Sequence, residues 1–416
     1  MRTHNLPANF LLRVLLVGAV TMLCALSVEA QERASTPEPG KAVTAPLLTP
    51  VAPVANRTGQ TPAAETPDPT AKLSTPPATD LEKPVPHVAL LLPLASKMFG
   101  KVAEAFKLGF IAGAEADGKN APTYRIYTTE DEGASLAAIY RKAVTDGAIA
   151  VIGGVTRDGA NTIARESRFL PTLALNAPVV SSDNDLPDRF FYISLSLDVE
   201  ARLVARMASD EGLRSVAVVV ANNPLEKRIQ ESFEKETLRL GGEIVARISF
   251  GGDRSEAARV TAAMEKLGSK ASVVFLAAGP TAARYVRPYL PVGMPVFATS
   301  HSVDPNAASV ANLDLDNVRF LEMPWFAERD HPAVMAYARP VAPMPLDYER
   351  LYALGIDAWR VMQVILKADN PRNIAPLDGV TGKLSLDGAQ FVRTLTAVEM
   401  RDGVPQLYRP TDKPVE

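Results

Sequence analysis

The sequence contains few of the residues from which metal centres and disulfide frameworks are built. Of its 416 residues, one is cysteine and four are histidine. Cys24 lies in an N-terminal apolar stretch, so the rest of the chain has no cysteine for an internal disulfide. No two of His4, His87, His301 and His331 have the spacing that is typical of metal ligands. A zinc or haem enzyme is therefore not expected, and no cofactor or metal is predicted.

The chain also lacks an excess of positive charge. Its 44 lysine and arginine residues are balanced by 47 aspartate and glutamate residues, which gives a formal net charge of −3. Domains that bind nucleic acids usually carry a basic surface, and this balance provides no support for one. We therefore expect no nucleic-acid partner.

The first thirty residues have the layout of a secretory signal peptide. Arg2 gives a positive start, and Val14–Leu26 is an apolar run of 13 residues. A bilayer span needs about 20 such residues, so an uncleaved anchor is the alternative. Cys24 fits a lipoprotein signal poorly, because the residue before it, Leu23, is large. Residues 1–30 therefore predict export to the periplasm, with outer-membrane anchoring through a lipidated Cys24 as the alternative.

Residues 31–86 are predicted to be a disordered tether. The segment contains 12 prolines in 56 residues, many threonines and alanines, and no aromatic residue. Such a composition buries too little apolar surface to offset the entropy lost when a chain becomes ordered. As a flexible coil this segment would span roughly 45 Å on average.

From His87 onward, short apolar runs alternate with segments of helical periodicity. Val88–Leu92 is fully apolar, as expected for a parallel strand that is covered on both faces. Phe99, Phe106 and Phe110 then recur at helical spacing. Two successive series of this kind predict an α/β fold of two doubly wound parallel-sheet lobes joined by crossovers. The expected boundaries are about 87–197 plus 325–366 for lobe 1, and about 198–324 plus 375–410 for lobe 2.

Several element boundaries follow from the same periodicity. A helix is expected over Val199–Ser209, with Asp198 as its N-cap. Another helix is expected over 254–267. The chain is expected to end in two strands, Gly382–Leu386 and Arg393–Met400. In such sheets, ligands bind outside the carboxyl ends of the strands.

Four segments of residues 87–410 carry a resemblance to a known family. They are Val88–Leu94, Ala174–Asn176, Arg350–Trp359 and Gly379–Ser385. The last two, at this spacing, are the most specific, since many strands look like the first. On these segments the whole region resembles the type I periplasmic binding proteins, which have the bilobed "Venus flytrap" fold. Within them it is similar to the penicillin-binding-protein activators of the LpoA/LppC type.

The resemblance implies a protein that is not an enzyme. Members of the family bind a bifunctional class A penicillin-binding protein and stimulate peptidoglycan synthesis from the outer-membrane side. We therefore expect an exported regulator of a peptidoglycan synthase in the cell envelope. The alternative is a periplasmic solute-binding protein of an ABC transporter or a sensor, which would hold a small polar ligand between the lobes.

The turn after the third predicted strand offers a candidate ligand site. It contains three glycines and leads into a helix that begins near Arg157. Backbone N–H groups at a helix N-terminus bind anions, and solute-binding relatives hold a ligand carboxylate at this turn. Thr156 and Arg157 are therefore candidates, although the glycines alone explain a tight turn. The other candidates for the cleft are Asn176, Ser194, Asn223 beside Asn222, Ser300, Trp325 and Tyr348.

For two of these candidates a structural role is the competing interpretation. Asn223 precedes Pro224 and is as well suited to a helix entry as to a ligand contact. Trp325 is favoured as packing at a hinge over a stacking platform for a ligand.

Three apparent enzyme or metal signals lack supporting context. Ser232 and Lys235 fit an S-x-x-K pattern, but they fall in a helix rich in glutamate and lysine and no K-T-G follows. The G-x-S-x-G pattern of hydrolases does not occur. The acidic trio 130–132 is predicted to be a solvated loop rather than a metal site. No catalytic residue is therefore predicted.

Overall fold

The computed structural model describes residues 84–180, 182 and 185–409. The predicted signal peptide, Cys24 and the predicted tether up to residue 83 lie outside these residues. The described residues all fall in one unit of the chain, which spans Asp80–Glu416. No helix within the described part is both long enough and apolar enough to cross a membrane.

The strands of the described residues form two separate sheets. In chain order they are β1 (His87–Leu92), β2 (Tyr124–Thr128), β3 (Ala148–Gly153), β4 (Thr172–Ala174), β5 (Phe190–Tyr192), β6 (Ser215–Ala221), β7 (Glu243–Phe250), β8 (Val273–Ala277), β9 (Val296–Ala298), β10 (Val318–Glu322), β11 (Leu377–Asp378), β12 (Lys383–Asp387), β13 (Gln390–Thr394), β14 (Thr396–Arg401) and β15 (Val404–Leu407).

The α-helices of the described residues mostly follow the strands. They are α1 (Gly100–Asp117), α2 (Ala134–Thr145), α3 (Arg157–Glu166), α4 (Leu197–Asp210), α5 (Pro224–Arg239), α6 (Arg254–Leu267), α7 (Pro280–Val286), α8 (Ser309–Asn312), α9 (Pro324–Ala327), α10 (Pro332–Met335) and α11 (Leu346–Lys367). Short 3-10 turns lie at Gly118–Asn120, Gly268–Lys270, Arg287–Tyr289, Ser300–Ser302 and Leu313–Leu315.

Each sheet is the centre of one lobe. The sheet of lobe 1 has the strand order β11-β12-β13-β5-β4-β3-β1-β2, and that of lobe 2 has the order β15-β14-β10-β9-β8-β6-β7. Strands β1 to β5 pair in parallel, as do β6 to β10, and the antiparallel strands lie at one edge of each sheet. The predicted α/β fold of two parallel-dominated sheets is confirmed.

The end of the chain is divided between the lobes differently from the prediction. Residues 375–410 were assigned to lobe 2, but β11 to β13 extend the sheet of lobe 1 and only β14 and β15 join lobe 2. The single strand expected over Arg393–Met400 is in fact two strands of different sheets. The chain crosses between them at Leu395, since the pairing of β13 ends at Thr394 and that of β14 begins at Thr396.

The N-cap expected for the first helix of lobe 2 is also wrong. Asp198 lies inside α4, and the Oγ of Ser196 accepts the N–H of Val199 at 3.4 Å instead. Serine and aspartate are both good N-caps, so local sequence does not separate them here.

Helices α1 and α11 pack closely against each other in lobe 1. A Cβ placed on Gly109 would lie 1.8 Å from the carbonyl oxygen of Tyr352, and one on Gly355 would lie 2.2 Å from that of Phe106. Only glycine permits this approach of the two backbones. Trp359 fills the core beside this contact and donates its indole N–H to Asp117 at 2.7 Å.

Candidate functional site

A cleft of about 610 Å³ lies between the two lobes. It is lined by Phe106, Val155, Arg157, Asp158, Leu175, Asn176, Ser194, Leu195, Ser196, Leu197, Asp198, Arg228, Leu351 and Leu354. Three of the predicted ligand residues, Arg157, Asn176 and Ser194, therefore line one cavity. They come together because they follow β3, β4 and β5, whose carboxyl ends meet at the same edge of the sheet.

The helix N-terminus predicted to hold an anion already holds one that belongs to the protein. Thr156 donates its backbone N–H at 2.8 Å and its hydroxyl at 3.1 Å to the same carboxylate oxygen of Glu132. The Thr156 hydroxyl also accepts the N–H of Gly159 at 3.0 Å, which caps α3. The two donors that a ligand carboxylate would use at Thr156 are thus bound to Glu132.

Glu132 was expected in a solvated loop, and that prediction is wrong. Its residue is 6% exposed, whereas Glu130 and Asp131 beside it are exposed. Burial raises the pKa of the Glu132 carboxyl, and the hydrogen bonds from Thr156 oppose that rise in part. Its Oε1 atom is buried without a hydrogen-bond partner. The sequence did not predict Glu132 as a partner of this turn, because the donor, Thr156, lies 24 residues further along the chain.

The polar side chain of Asn176 is also engaged within lobe 1. Its amide nitrogen donates to the carbonyl oxygen of Val155 at 3.0 Å, and its amide oxygen accepts the N–H of Ala177 at 2.9 Å. These bonds tie the end of β4 to the turn after β3. The main role of Asn176 in this structure is to hold the two loops together.

The remaining polar groups of the cleft have mixed charge. Arg157 and Asp158 are exposed on the side of lobe 1. On the side of lobe 2, Arg228 donates to Asp198 at 2.9 Å, so these two charges are paired with each other. Such exposed pairs are weak and adaptable, and they do not make a preorganised pocket for one charge sign.

Asn223 and Ser300 lie outside the interlobe cleft. Asn223 is the N-cap of α5, where its side-chain oxygen accepts the N–H groups of Leu225 and Glu226. Ser300 is 2% exposed, and its N–H and hydroxyl both donate to the carboxylate of Glu200. The helix-entry interpretation of Asn223 matches these contacts, and Ser300 is not available to a ligand.

Trp325 is packed into the joint between the lobes. Its side chain is fully buried, its indole N–H donates to Glu349 at 2.9 Å, and the guanidinium of Arg339 lies 3.7 Å from the centre of its ring. The ring face is thus covered by the protein, in agreement with hinge packing. Tyr348 lies in the first turn of α11, is half-buried and does not line the cleft.

The chain passes from lobe 1 to lobe 2 between β5 and α4, the first crossover, and returns after β10, the second crossover. A buried ion pair that the sequence did not reveal joins the lobes at the second crossover. Arg350 on α11 donates both terminal nitrogens to the two carboxylate oxygens of Glu322, each at 2.7 Å. Glu322 ends β10 of lobe 2 and is 1% exposed. Bidentate pairing of this kind sets the relative orientation of the two groups and ties α11 to the end of β10.

Arg393 and Asp357 make further buried contacts in lobe 1, with the end of the strand before the first crossover and with the loop before β12. Arg393 donates to the carbonyl oxygens of Ser194, at the first crossover, and of Thr381, both at 3.1 Å. Asp357 is fully buried and accepts the N–H groups of Val380 and Thr381 and the hydroxyl of Thr381, at 2.6–2.9 Å. Arg350, Glu322, Arg393, Asp357 and Thr381 are called the hinge network below.

The described residues show no arrangement that supports catalysis by the motifs considered above. Ser232 and Lys235 lie on α5 at a groove that Arg202 and Arg239 also line, and Lys235 is exposed. Among residues 84–180, 182 and 185–409, no group of three histidine, aspartate or glutamate side chains is placed to hold a metal ion.

Comparison with known proteins gives consistent matches along most of the chain. The model of the family described as "LppC putative lipoprotein" matches residues 59–403. The penicillin-binding protein activator LpoA of Pantoea ananatis is 24% identical over 322 residues, which are 67% of this chain and 46% of that protein. The protein of the same name from Yersinia pseudotuberculosis is 26% identical over 326 residues, which are 67% and 49%. The chain spans about half the length of the curated relatives it matches.

Solved structures share the two-lobed architecture. A Chromobacterium violaceum protein described as a "putative branched-chain amino acid ABC transporter" has a TM-score of 0.64 and 31% identity, and the match covers 76% of this chain and all of that chain. The LpoA C-domain of Haemophilus influenzae, described as a regulator of PBP1A, has a TM-score of 0.60 and 21% identity, with 78% and 100% covered. The predicted type I periplasmic-binding-protein fold is confirmed.

Proposed function

The chain belongs to the LppC lipoprotein family, and on that premise we propose that it is a non-catalytic regulator that binds and activates a class A penicillin-binding protein. The observation that carries the proposal is the family match over residues 59–403, because that range includes almost all of both lobes. Curated relatives matched by the chain are named activators of penicillin-binding proteins. The proposed process is peptidoglycan synthesis in the cell envelope.

The hinge network supports a regulator that acts as a rigid body. Arg350 and Glu322 link the lobes at the second crossover through two bonds of 2.7 Å, and Arg393 donates to Ser194 at the first crossover. A solute receptor opens and closes its lobes around a ligand, and bonds between the lobes at the crossovers oppose that movement. Docking would shift the synthase toward an active conformation if the regulator binds that conformation more tightly.

The proposal is tested by reconstitution with the host's class A penicillin-binding protein. We expect the chain to bind the enzyme saturably in biolayer interferometry at physiological salt. The rate of glycan-strand polymerisation is then measured with and without saturating chain. A rate increase that follows the binding curve is the expected result, and an unchanged rate at saturation would reject the activator role.

The competing function is solute binding, as the description of the Chromobacterium violaceum neighbour suggests for that protein. The contacts in the cleft weigh against an amino-acid ligand here, because Glu132 occupies the donors of Thr156 and Asn176 is bonded to Val155. Leucine titrated into the chain should therefore give no heat in calorimetry and no increase in melting temperature. Saturable binding of leucine would favour the solute-binding function instead.

The proposed location is the periplasm, reached by export through residues 1–30. Mass spectrometry of the native protein should find Gln31 at its N-terminus. A diacylglyceryl-modified Cys24 at that position would show instead that the protein is anchored in a membrane by lipid.

A further inference from the structure

A groove lies between α4 and α5 on the surface of lobe 2. Arg228 of α5 pairs with Asp198 of α4, and Arg206 of α4 pairs with Glu236 of α5, so the two helices run side by side in the same direction. The groove has a volume of about 410 Å³ and is lined by Arg202, Glu231, Ser232, Lys235, Glu236 and Arg239. Asp198 and Arg228 also line the interlobe cleft, so the groove begins beside that cleft.

The walls of the groove follow from the spacing of polar residues on the two helices. Residues three or four positions apart share one face of a helix. The residues with this spacing are Arg228, Ser232, Lys235 and Arg239 on α5, and Asp198, Arg202 and Arg206 on α4. Ile229 and Phe233, on another face of α5, are buried in the core of the lobe. The apolar face therefore docks each helix on the sheet, and the polar face is left to form the groove.

These walls carry more positive than negative charge. Together with Glu231 and Glu236, the polar residues of the two faces comprise five cations and three carboxylates, a surplus of two positive charges. The whole chain has the opposite sign, with a formal net charge of −3. The positive charge is thus a local feature of this surface and not a property of the chain as a whole.

Two of the five cations have no carboxylate partner. Glu236 accepts hydrogen bonds from both Arg206 and Arg239 at 2.7–2.8 Å, so one carboxylate serves two arginines. The hydrogen bonds from Arg239 and from Arg206 lower the pKa of Glu236 to about 2. Within the described part of the chain, neither Arg202 nor Lys235 forms an ion pair. The middle of the groove therefore has charge to offer to a partner.

We propose that this groove binds an acidic segment of the class A penicillin-binding protein, whose carboxylates pair with Arg202 and Lys235. The inference rests on the proposed activator function and assigns a surface to it. The polar face of α5 from Arg228 to Arg239 is roughly 16 Å long, the length of about five extended residues. A groove accepts a protruding chain, whereas a flat bilayer cannot enter it. The lining residues include no aromatic ring on which the sugars of a glycan could stack.

The test reverses the two unpaired charges in the double variant Arg202→Glu with Lys235→Glu. Binding of the full chain to the host's class A penicillin-binding protein is measured by biolayer interferometry, which gives association and dissociation rates separately. Charges at the surface of an interface act mainly on the association rate, which should fall by about tenfold or more in the variant. Added salt screens such charges, so it should slow association of the wild type and have a smaller effect on the variant.

A second variant and a matched control locate the effect in the groove. Ser232→Glu adds a carboxylate to the wall without removing an ion pair, and glutamate favours a helix more than serine does. It should also slow association, and it tests the groove even if the double variant folds poorly. Lys266→Glu with Lys270→Glu makes the same change in net charge at two exposed positions, at the end of α6 and just after it. Because α6 packs on the opposite face of the sheet from α4 and α5, this control should bind as the wild type does.

Two results would overturn the assignment of this surface while the activator function stands. If the wild type binds and stimulates the enzyme and both groove variants do so equally well, the contact lies elsewhere on the chain. If the control on α6 slows association as much as the groove variants do, the effect belongs to the net charge and not to the groove. Failure of the proposed function is a different result, because then the wild type itself neither binds nor stimulates the enzyme.

Discussion

Glu200 shows how one buried carboxyl group can make the stability of this protein depend on pH. Its residue is 5% exposed, and both its oxygens accept hydrogen bonds from Ser300. Burial raises the pKa of Glu200 to about 7, although the charge of Arg350 and the bond from the Ser300 N–H oppose the rise. The folded protein thus holds this proton more tightly than the unfolded chain does. The stabilising contribution is complete below the unfolded pKa near 4.5 and is lost as the pH rises through about 7.

Glu200→Gln should remove that loss, because a neutral amide resembles the protonated carboxyl. The variant and the wild type should have similar free energies of unfolding near pH 4.5. Above pH 7 the variant should be the more stable by roughly 3 kcal/mol, at 1.36 kcal/mol per pKa unit. Urea unfolding at intervals between pH 4.5 and 8 measures the difference, with the exposed Glu231→Gln as the control. A difference that does not change with pH would contradict the assigned shift.

Asp357 allows a prediction about buried hydrogen bonds, because its carboxylate oxygens accept hydrogen bonds from three donors of one loop. Asp357→Ala should leave the buried N–H groups of Val380 and Thr381 without acceptors and lower the free energy of unfolding by roughly 3–5 kcal/mol. Asp357→Asn keeps one acceptor oxygen and should lose less. The exposed Asp314→Ala is the control. A loss below about 1 kcal/mol in Asp357→Ala would mean that the loop finds other partners.

These contacts explain why the two most specific segments of the resemblance belong together. Arg350–Trp359 supplies the ion pair with Glu322, the glycine of the helix contact and the carboxylate of Asp357. Gly379–Ser385 supplies the N–H groups and the hydroxyl that this carboxylate accepts. Local sequence does not identify these partners, because Glu322 lies 28 residues from Arg350 and Thr381 lies 24 residues from Asp357.

At the scale of elements, the contact between α1 and α11 gives a prediction about packing. Gly355→Ala would place a methyl group 2.2 Å from the carbonyl oxygen of Phe106, so the helices must separate. Overpacking of a core by one methyl group costs about 1–3 kcal/mol, and a backbone clash belongs at the upper end of that range. Thermal unfolding of the variant measures the loss. Gly279→Ala is the control, since its methyl group would meet no atom closer than 3.6 Å and its φ of −68° suits alanine.

Helix and strand periodicity predicted most elements but not where the chain changes lobe. The helix expected over 254–267 is α6, with the same bounds. The single strand expected over Arg393–Met400 is wrong because Leu395, at the crossing, is apolar and lies between Thr394 and Thr396, and threonine is as common in strands as apolar residues are. The sequence pattern therefore continues across the crossing, and only the pairing partners change.

At the scale of the whole molecule, the sequence predicted where the cleft lies but not which of the candidate residues line it. Arg157, Asn176 and Ser194 line it, because they follow parallel strands whose carboxyl ends lie at the same edge of one sheet. Ser300 and Trp325 follow strand ends equally well, yet both are buried by partners distant in sequence. Which strand-end residues face solvent depends on those partners, and a periodic pattern carries no information about them.

The hinge network then makes a prediction that links stability, shape and the proposed function. Arg350→Met leaves the nearly fully buried carboxylate of Glu322 without its cation, and breaking such a pair costs about 3–5 kcal/mol. The double variant Glu322→Leu with Arg350→Met removes both charges and should regain most of that stability. In the single variant we expect the lobes to move relative to each other, which small-angle scattering detects as a larger radius of gyration.

If activation of the synthase needs a fixed arrangement of the lobes, it should follow the order of stability: wild type first, then the double variant, then Arg350→Met. Arg350→Met is expected to stimulate polymerisation less than the wild type, and the double variant to recover most of the effect. The comparison is made at 20 °C with each variant at saturation, so that unfolded protein is not mistaken for weak activation. Exposed Arg259→Met serves as the matched control for loss of one arginine. Full stimulation by Arg350→Met, with its lobes shown to be loose, would mean that one lobe alone carries the contact with the enzyme.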